Sequence, residues 1–130
     1  DGMDDIQPDI EKAIVYYKQA AELGNEVSYE NLGLIYEQNN DIQTALEMYK
    51  QAGEMGSDDG YFNVAEIYDS SDQIKNDKKQ AFKYYKMAAE EGHEKSQLRL
   101  ADMYEQGIGT KKDIKQAKYW RDISAENMEM

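Results

Sequence analysis

Apolar residues along this chain fall at helical spacing, and the pattern starts over every 32 to 36 residues. Ala13, Ala45, Ala81 and Ala117 mark the restarts. Each is preceded four residues earlier by an aspartate (Asp9, Asp41, Asp77, Asp113) and followed seven later by Ala20, Ala52, Ala88 or Ser124. Runs such as Ala13, Tyr16, Tyr17, Ala20, Ala21 and Ala81, Tyr84, Tyr85, Ala88, Ala89 place apolar side chains on one face of a helix. The aspartate opens that helix by accepting from free first-turn amides, and Gln80 and Gln116 complete a capping-box pattern in two units. Gly24, Gly56 and Gly92 close it, where a departing chain favours a left-handed residue without a Cβ.

A second helical pattern begins at once, with Asn25-Glu26, Ser57-Asp58 and His93-Glu94 as cap and first-turn acid. So short a connection makes the two helices antiparallel neighbours. The second helix carries Leu32-Gly33, Val64-Ala65 and Leu100-Ala101, then Tyr36, Tyr68 and Tyr104 one turn on. The small residues admit a facing backbone and the tyrosines fill the volume between pairs. Seven antiparallel helices are expected, near 9–23, 26–38, 42–55, 58–70, 78–91, 94–106 and 114–126. A period of this length means stacked helix pairs: an all-α solenoid over 9–127, in units 9–40, 41–76, 77–112 and a partial 113–127. A disordered lead over 1–8 and a short tail over 128–130 flank it. The last two junctions are four residues longer than the first, between tyrosine and next alanine, which adds a loop.

The run Ser96, Leu100-Ala101-Asp102-Met103-Tyr104-Glu105-Gln106-Gly107-Ile108-Gly109, Asp113, Ala117, Trp120 and Ser124-Ala125 resembles the Sel1-like repeat, a cousin of the tetratricopeptide repeat. The likeness covers about residues 9–127. The short first junction, the glycine-free second loop (Ser70-Ser71-Asp72-Gln73) and Met128 in place of a terminal glycine depart from it. The resemblance implies a right-handed α-α superhelix acting as an adaptor in protein complexes.

Fifteen basic against 27 acidic residues give a net charge of −12, which argues against a nucleic-acid phosphate backbone as partner. No apolar run approaches the roughly 20 residues needed to span a bilayer, so this segment is not expected to insert in a membrane. With zero cysteines there are no disulfides or thiolate zinc sites. The lack of a signal-like stretch leans toward the cytoplasm, although the chain opens Asp1-Gly2-Met3 without an initiating methionine, which leaves room for a leader or anchor ahead of it.

Catalytic chemistry finds little to build on, so no catalytic residue, cofactor or metal is expected. The one histidine, His93, stands at a helix start beside Glu94, the place of a cap. Gly107-Ile108-Gly109-Thr110-Lys111-Lys112 lacks the full phosphate-loop spacing and its preceding strand. Asp69, Ser71 and Gln73 alternate like calcium ligands, but Ile74 occupies the glycine position and no acid closes the loop. The bulky positions Tyr16, Met48, Tyr84 and Trp120 align in register, and methionine cannot stack as a ring does, so packing explains them better than a ligand platform.

In the resembling families the second helices line the concave groove. Here that face carries Glu30, Asn31 and Leu34; Phe62, Asn63 and Glu66; Leu98, Arg99 and Asp102. The asparagines suit a peptide backbone, since an amide both donates and accepts, and they suit equally a bridge between neighbouring helices. Counting Glu37, Asp69 and Glu105 after the tyrosines, six acids face one arginine, which favours a partner with a basic segment. The expected function is a non-catalytic scaffold holding a protein, peptide or helix. The alternatives are a structural spacer or end-to-end self-associating array and, more distantly, an enzyme with an acidic site that no motif marks.

Overall fold

The computed structural model describes residues 8–129, and all of its regular structure is helical. Seven helices follow one another in antiparallel pairs: α1 (Pro8–Glu22), α2 (Glu26–Gln38), α3 (Ile42–Glu54), α4 (Gly60–Ser70), α5 (Lys78–Glu90), α6 (Glu94–Gln106) and α7 (Ile114–Glu129). The chain divides into two compact units, Asp1–Gly60 and Tyr61–Met130.

The helix ends follow the recurring signals, with three departures. Asp41, Asp77 and Asp113 cap α3, α5 and α7, accepting from the amides of Thr44 (3.3 Å), Gln80 (3.1 Å) and Gln116 (3.1 Å). Asp9 does not cap: it lies within the first turn of α1, which starts at Pro8, a residue well suited to that place because it has no amide to leave unsatisfied. Apart from Pro8, the expected lead lies outside the described residues. Helix α4 starts two residues later than expected, after a turn through Asp58 and Asp59. There Gly60 meets the backbone of Gly53, so closely that a Cβ would lie 2.3 Å from the Gly53 nitrogen. Helix α7 runs through Glu129 into the expected tail, as a helix without a left-handed glycine at its usual stop will do.

The cap amides themselves are used in the same way at every junction. The amides of Asp41, Asp77 and Asp113 donate to the carbonyls of Tyr36 (2.8 Å), Tyr68 (3.0 Å) and Tyr104 (2.8 Å). This clasp takes the donor that a capping box would have given to the Gln80 or Gln116 side chain. Two of the three hairpins are closed by one residue that serves both helices, whereas Ser57, expected to cap α4, gives its hydroxyl to Glu30. The Asn25 amide donates to the Ala20 carbonyl (3.2 Å), closing α1, while its side chain accepts from Val27 and Ser28 at the start of α2. His93 does the same between α5 and α6, its amide on Ala88 and its Nδ1 accepting from the Ser96 amide at 3.2 Å.

Each unit has its own buried seam. In the first, Leu32, Tyr36, Ala45, Leu46, Tyr49 and Ala52 are buried, and a Cβ on Gly33 would lie 2.5 Å from the Tyr49 ring. In the second, Tyr61 and Tyr68 of α4 face Tyr84 of α5 with ring centroids 5.9 and 6.2 Å away. A cluster of Ala89, Leu100, Ala101, Tyr104, Ala117 and Trp120 joins α5, α6 and α7. The loop before α7 is also anchored, since a Cβ on Gly109 (φ +71°) would stand 2.2 Å from the Lys78 carbonyl oxygen. Burial of the aligned bulky positions holds for Tyr84 and Trp120, whereas Tyr16 is 66% exposed.

Candidate protein-binding face

The second-type helices α2, α4 and α6 present the residues selected from the register, each within its own unit. In the first unit, Leu34 is 47% exposed, with half-buried Asn31 and Glu30 beside it. In the second, Leu98 is exposed to the same degree, Phe62, Asn63, Arg99 and Asp102 are half-buried, and Glu66 is exposed. Phe62 is wedged between the rings of His93 (centroids 4.5 Å apart) and Tyr85 (6.0 Å). Neither Asn31 nor Asn63 forms a side-chain hydrogen bond among the described residues.

The acids of this face behave differently from a row of solvated charges. All six take donors from the chain itself. Glu30 accepts from the Ser57 hydroxyl and Glu37 from the Tyr49 hydroxyl at 2.8 Å. Glu66 accepts from Tyr85 at 2.7 Å, and the same hydroxyl stands 3.0 Å from Asp69. Arg121 reaches Glu105 at 2.7 Å through one terminal nitrogen and Asp102 at 2.9 Å through the other. Asp69 is the most enclosed, held by Lys78 Nζ at 2.5 Å and by Arg99 through Nε (3.1 Å) and Nη2 (3.2 Å). Asp69, where the calcium-like alternation begins, thus already holds two internal cations. Among the described residues no group of three or more His, Asp or Glu side chains is placed to hold a metal ion.

These contacts set the proton affinities. Burial alone would raise the Asp69 carboxyl, but the hydrogen bonds from Lys78, Arg99 and Tyr85 outweigh it and hold the group below its ordinary value. Burial, then the bond to Glu66, drives the Tyr85 phenol well above its usual range, and burial with Glu37 does the same to Tyr49. Glu30 is raised by burial and then by the neighbouring charges of Asp59, Asp58 and Glu26. Arg99, the one cation picked out from the sequence on this face, is committed to Asp69. Glu30, Glu37 and Glu66 bond to hydroxyls, which orient a carboxylate without neutralising it.

A single geometric rung recurs. The acid just after the second-helix tyrosine meets a donor four residues after the next repeat alanine: Glu37 with Tyr49, Asp69 with Tyr85, Glu105 with Arg121. The Sel1 repeat matches residues 1–25, 28–57, 58–93 and 94–127. The chain belongs to the Sel1 repeat family. Each of its last three Sel1 repeats joins a second-type helix to the first-type helix that follows, half a unit out of phase with the alanine register. Every rung is therefore internal to one Sel1 repeat.

Solved structures agree with that assignment. The chain is similar to a Sel1 repeat protein from Oxalobacter formigenes, with a TM-score of 0.71 and 31% identity over 88% of this chain and 47% of that one. It is similar to a protective antigen present in uropathogenic Escherichia coli strains that displays an SLR fold, with a TM-score of 0.76 and 28% identity over 91% of this chain and 26% of that one. The cysteine-rich protein B of Helicobacter pylori matches with a TM-score of 0.67 and 27% identity, over 91% of this chain and 87% of that one. The chain thus spans about half the length of the first and a quarter of the second. No curated protein sequence matches it.

Sequence reasoning missed the rung. The signal was present, since both the acid after the tyrosine and the hydroxyl or guanidinium donor recur in register. Their separation changes from 12 to 16 residues between units, which hides the pairing in the linear chain.

Proposed function

We propose that this Sel1 repeat chain is a non-catalytic adaptor whose second-type helices hold an extended peptide or helix of another protein. The observation that carries the reading is that Asn31 in the first unit and Asn63 in the second are half-buried amides with no side-chain hydrogen bond among the described residues, in faces whose other polar groups are already bonded. An amide in that position pairs with a peptide N–H and C=O without competing for them. In the second unit Asn63 is accompanied by the exposed Leu98 and the partly covered Phe62, an apolar contact beside a backbone clamp. Because the rung acids are fixed in place, a partner finds the face pre-ordered and loses less side-chain freedom on binding.

The charge preference is narrower than the acid count implies. Asp69 is matched by two cations, and Asp102 and Glu105 share Arg121. That leaves Glu30, Glu37 and Glu66 to favour a basic partner segment. The test is affinity capture of partners followed by titration against Asn63→Ala and Leu98→Ala chains. Binding should weaken by about tenfold for either change, and a partner retained with undiminished affinity by both places the contact elsewhere. Raising salt should weaken binding modestly. Complete indifference to salt would remove the basic segment from the proposal.

A further inference from the structure

We infer that a second binding site lies in the cleft between α5, α6 and α7, and that it receives an aromatic side chain of a partner peptide. The cleft is open to solvent and offers about 640 Å³, and its walls include Lys86, Ala89, Gln97, Tyr119, Trp120 and Asn127. That volume is within the roughly 300–1,000 Å³ typical of ligand sites. It shares no residue with the face proposed above and is tested separately.

The occupant is read from the chain's own repeat. Gln97 stands three residues before Leu100, as Tyr61 stands before Val64 and Tyr29 before Leu32. Trp120 is likewise the register counterpart of Tyr84. Within the second unit, Tyr61 lays its ring against Tyr84, centroids 5.9 Å apart and planes 30° apart, and is itself buried. One repeat on, the same pair of positions holds Gln97 and Trp120. The ring is missing and a cleft is present. Gln97 does not swing out to fill it: its Nε2 donates to the Ala89 carbonyl at 3.1 Å and its Oε1 accepts from Asn127 Nδ2 at 3.2 Å, leaving the residue 2% exposed.

The α7 wall is aromatic. Tyr119 meets Trp120 edge-on at 5.2 Å and is itself 54% exposed, so an entering ring meets both. Trp120 Nε1 is buried with no acceptor among the described residues, and an occupant beside the indole supplies one through a carbonyl oxygen or a ring face. A peptide fits the rim better than a free charged aromatic. Lys86 and Glu90 carry opposite charges and select neither sign, while Gln116 and Asn127 offer the paired donor and acceptor that a peptide backbone matches.

Trp120 is the sole tryptophan, so its indole N–H resonance reports on this cleft alone. N-acetyl-tyrosinamide, N-acetyl-leucinamide and p-cresol are titrated against the whole chain with that signal followed by NMR. The tyrosine amide should give a saturable shift, about three- to tenfold tighter than the leucine amide, the increment a ring contact brings. It should also bind more tightly than p-cresol, which has the ring without the backbone. Gln97→Tyr, which supplies the ring from the chain itself, should abolish the shift. Gln116→Ala, at the exposed rim, should weaken the tyrosine amide while leaving p-cresol unchanged, and it decides the matter even if Gln97→Tyr does not fold. Equal affinity for tyrosine and leucine amides overturns the proposal, as does a shift that never saturates. p-Cresol binding as tightly as the amide removes the peptide as the source of the ring.

Discussion

Arg99 of α6 grips Asp69 of α4 with two nitrogens, Nε 3.1 Å from Oδ2 and Nη2 3.2 Å from Oδ1. Lys78 completes the grip from the start of α5, bonding both the carboxylate and the carbonyl of Asp69. One carboxylate thereby ties three helices together. The geometry is favourable because Asp69 is buried while its cations keep partial access to water, with side chains 31% and 44% exposed, which limits their desolvation.

Removing the carboxylate leaves two cations facing each other across an enclosed space. Asp69→Ala should therefore cost about 2 kcal/mol in urea unfolding, below the figure for fully buried pairs because solvent reaches Arg99 and Lys78. Lys78→Ala, which removes only the more exposed arm, should cost under about 1 kcal/mol. Equal costs would show that the arginine arm adds nothing.

The same cluster gives the fold a defined response to pH. Asp69 is held below its ordinary carboxyl value, so its contribution is complete above about pH 4 and disappears as pH falls through the lowered folded value. Tyr85 and Tyr49 are held above the ordinary phenol value, so their contribution is complete below about pH 10 and is lost as pH rises beyond it. Stability measured against pH should lose part of its acid slope in Asp69→Asn and part of its alkaline slope in Tyr85→Phe.

Two glycines with similar positive φ should respond unequally to alanine. At Gly92 (φ +97°) a Cβ meets nothing within 4 Å, so Gly92→Ala should cost only the backbone term of about 1 kcal/mol. At Gly109 (φ +71°) the added carbon would sit 2.2 Å from a backbone oxygen, and Gly109→Ala should cost an additional ~1–3 kcal/mol as the loop moves off Lys78. Thermal unfolding of the two variants side by side measures the difference.

One charge on the first unit should be better absent. Glu30 is partly buried and repelled by Asp59, Asp58 and Glu26, which raises its carboxyl and makes its ionised form unfavourable at neutral pH. Glu30→Gln keeps an acceptor for the Ser57 hydroxyl and removes the repulsion. It should stabilise the fold at pH 7 by up to about 1 kcal/mol, with the gain shrinking as pH is lowered toward the range where Glu30 itself protonates.

The fold was legible because its instructions are local and written several times. Asn25, Asp41, Asp77, His93 and Asp113 each sit at a helix start, and the small residues Gly33, Ala65 and Ala101 each sit in a buried seam. Legibility failed where an outcome depends on partners distant in sequence. Glu37, Asp69 and Glu105 read as solvent-facing charge, yet each finds its donor on the following first-type helix. Asp9 looks like its three counterparts and does not cap, because Pro8 already takes the first helical place. The cleft beside Trp120 was hidden for a related reason: glutamine at the register position of Tyr61 gains meaning only once Gln97 and Trp120 are seen to line one cleft.

The tyrosine-to-aspartate clasp makes the seams indifferent to what lies between. Tyr36 and Asp41 close over four intervening residues, whereas Tyr68 and Asp77, and Tyr104 and Asp113, close over eight, yet the bond lengths stay within 2.8–3.0 Å. A difference of four residues in length leaves the clasp itself unchanged, since closing a slightly longer loop adds only a small entropy cost. The mostly exposed stretch 72–75 of the second segment, clear of Asp69 and Asn76, is accordingly where a foreign epitope or tag can be grafted without disturbing the seam.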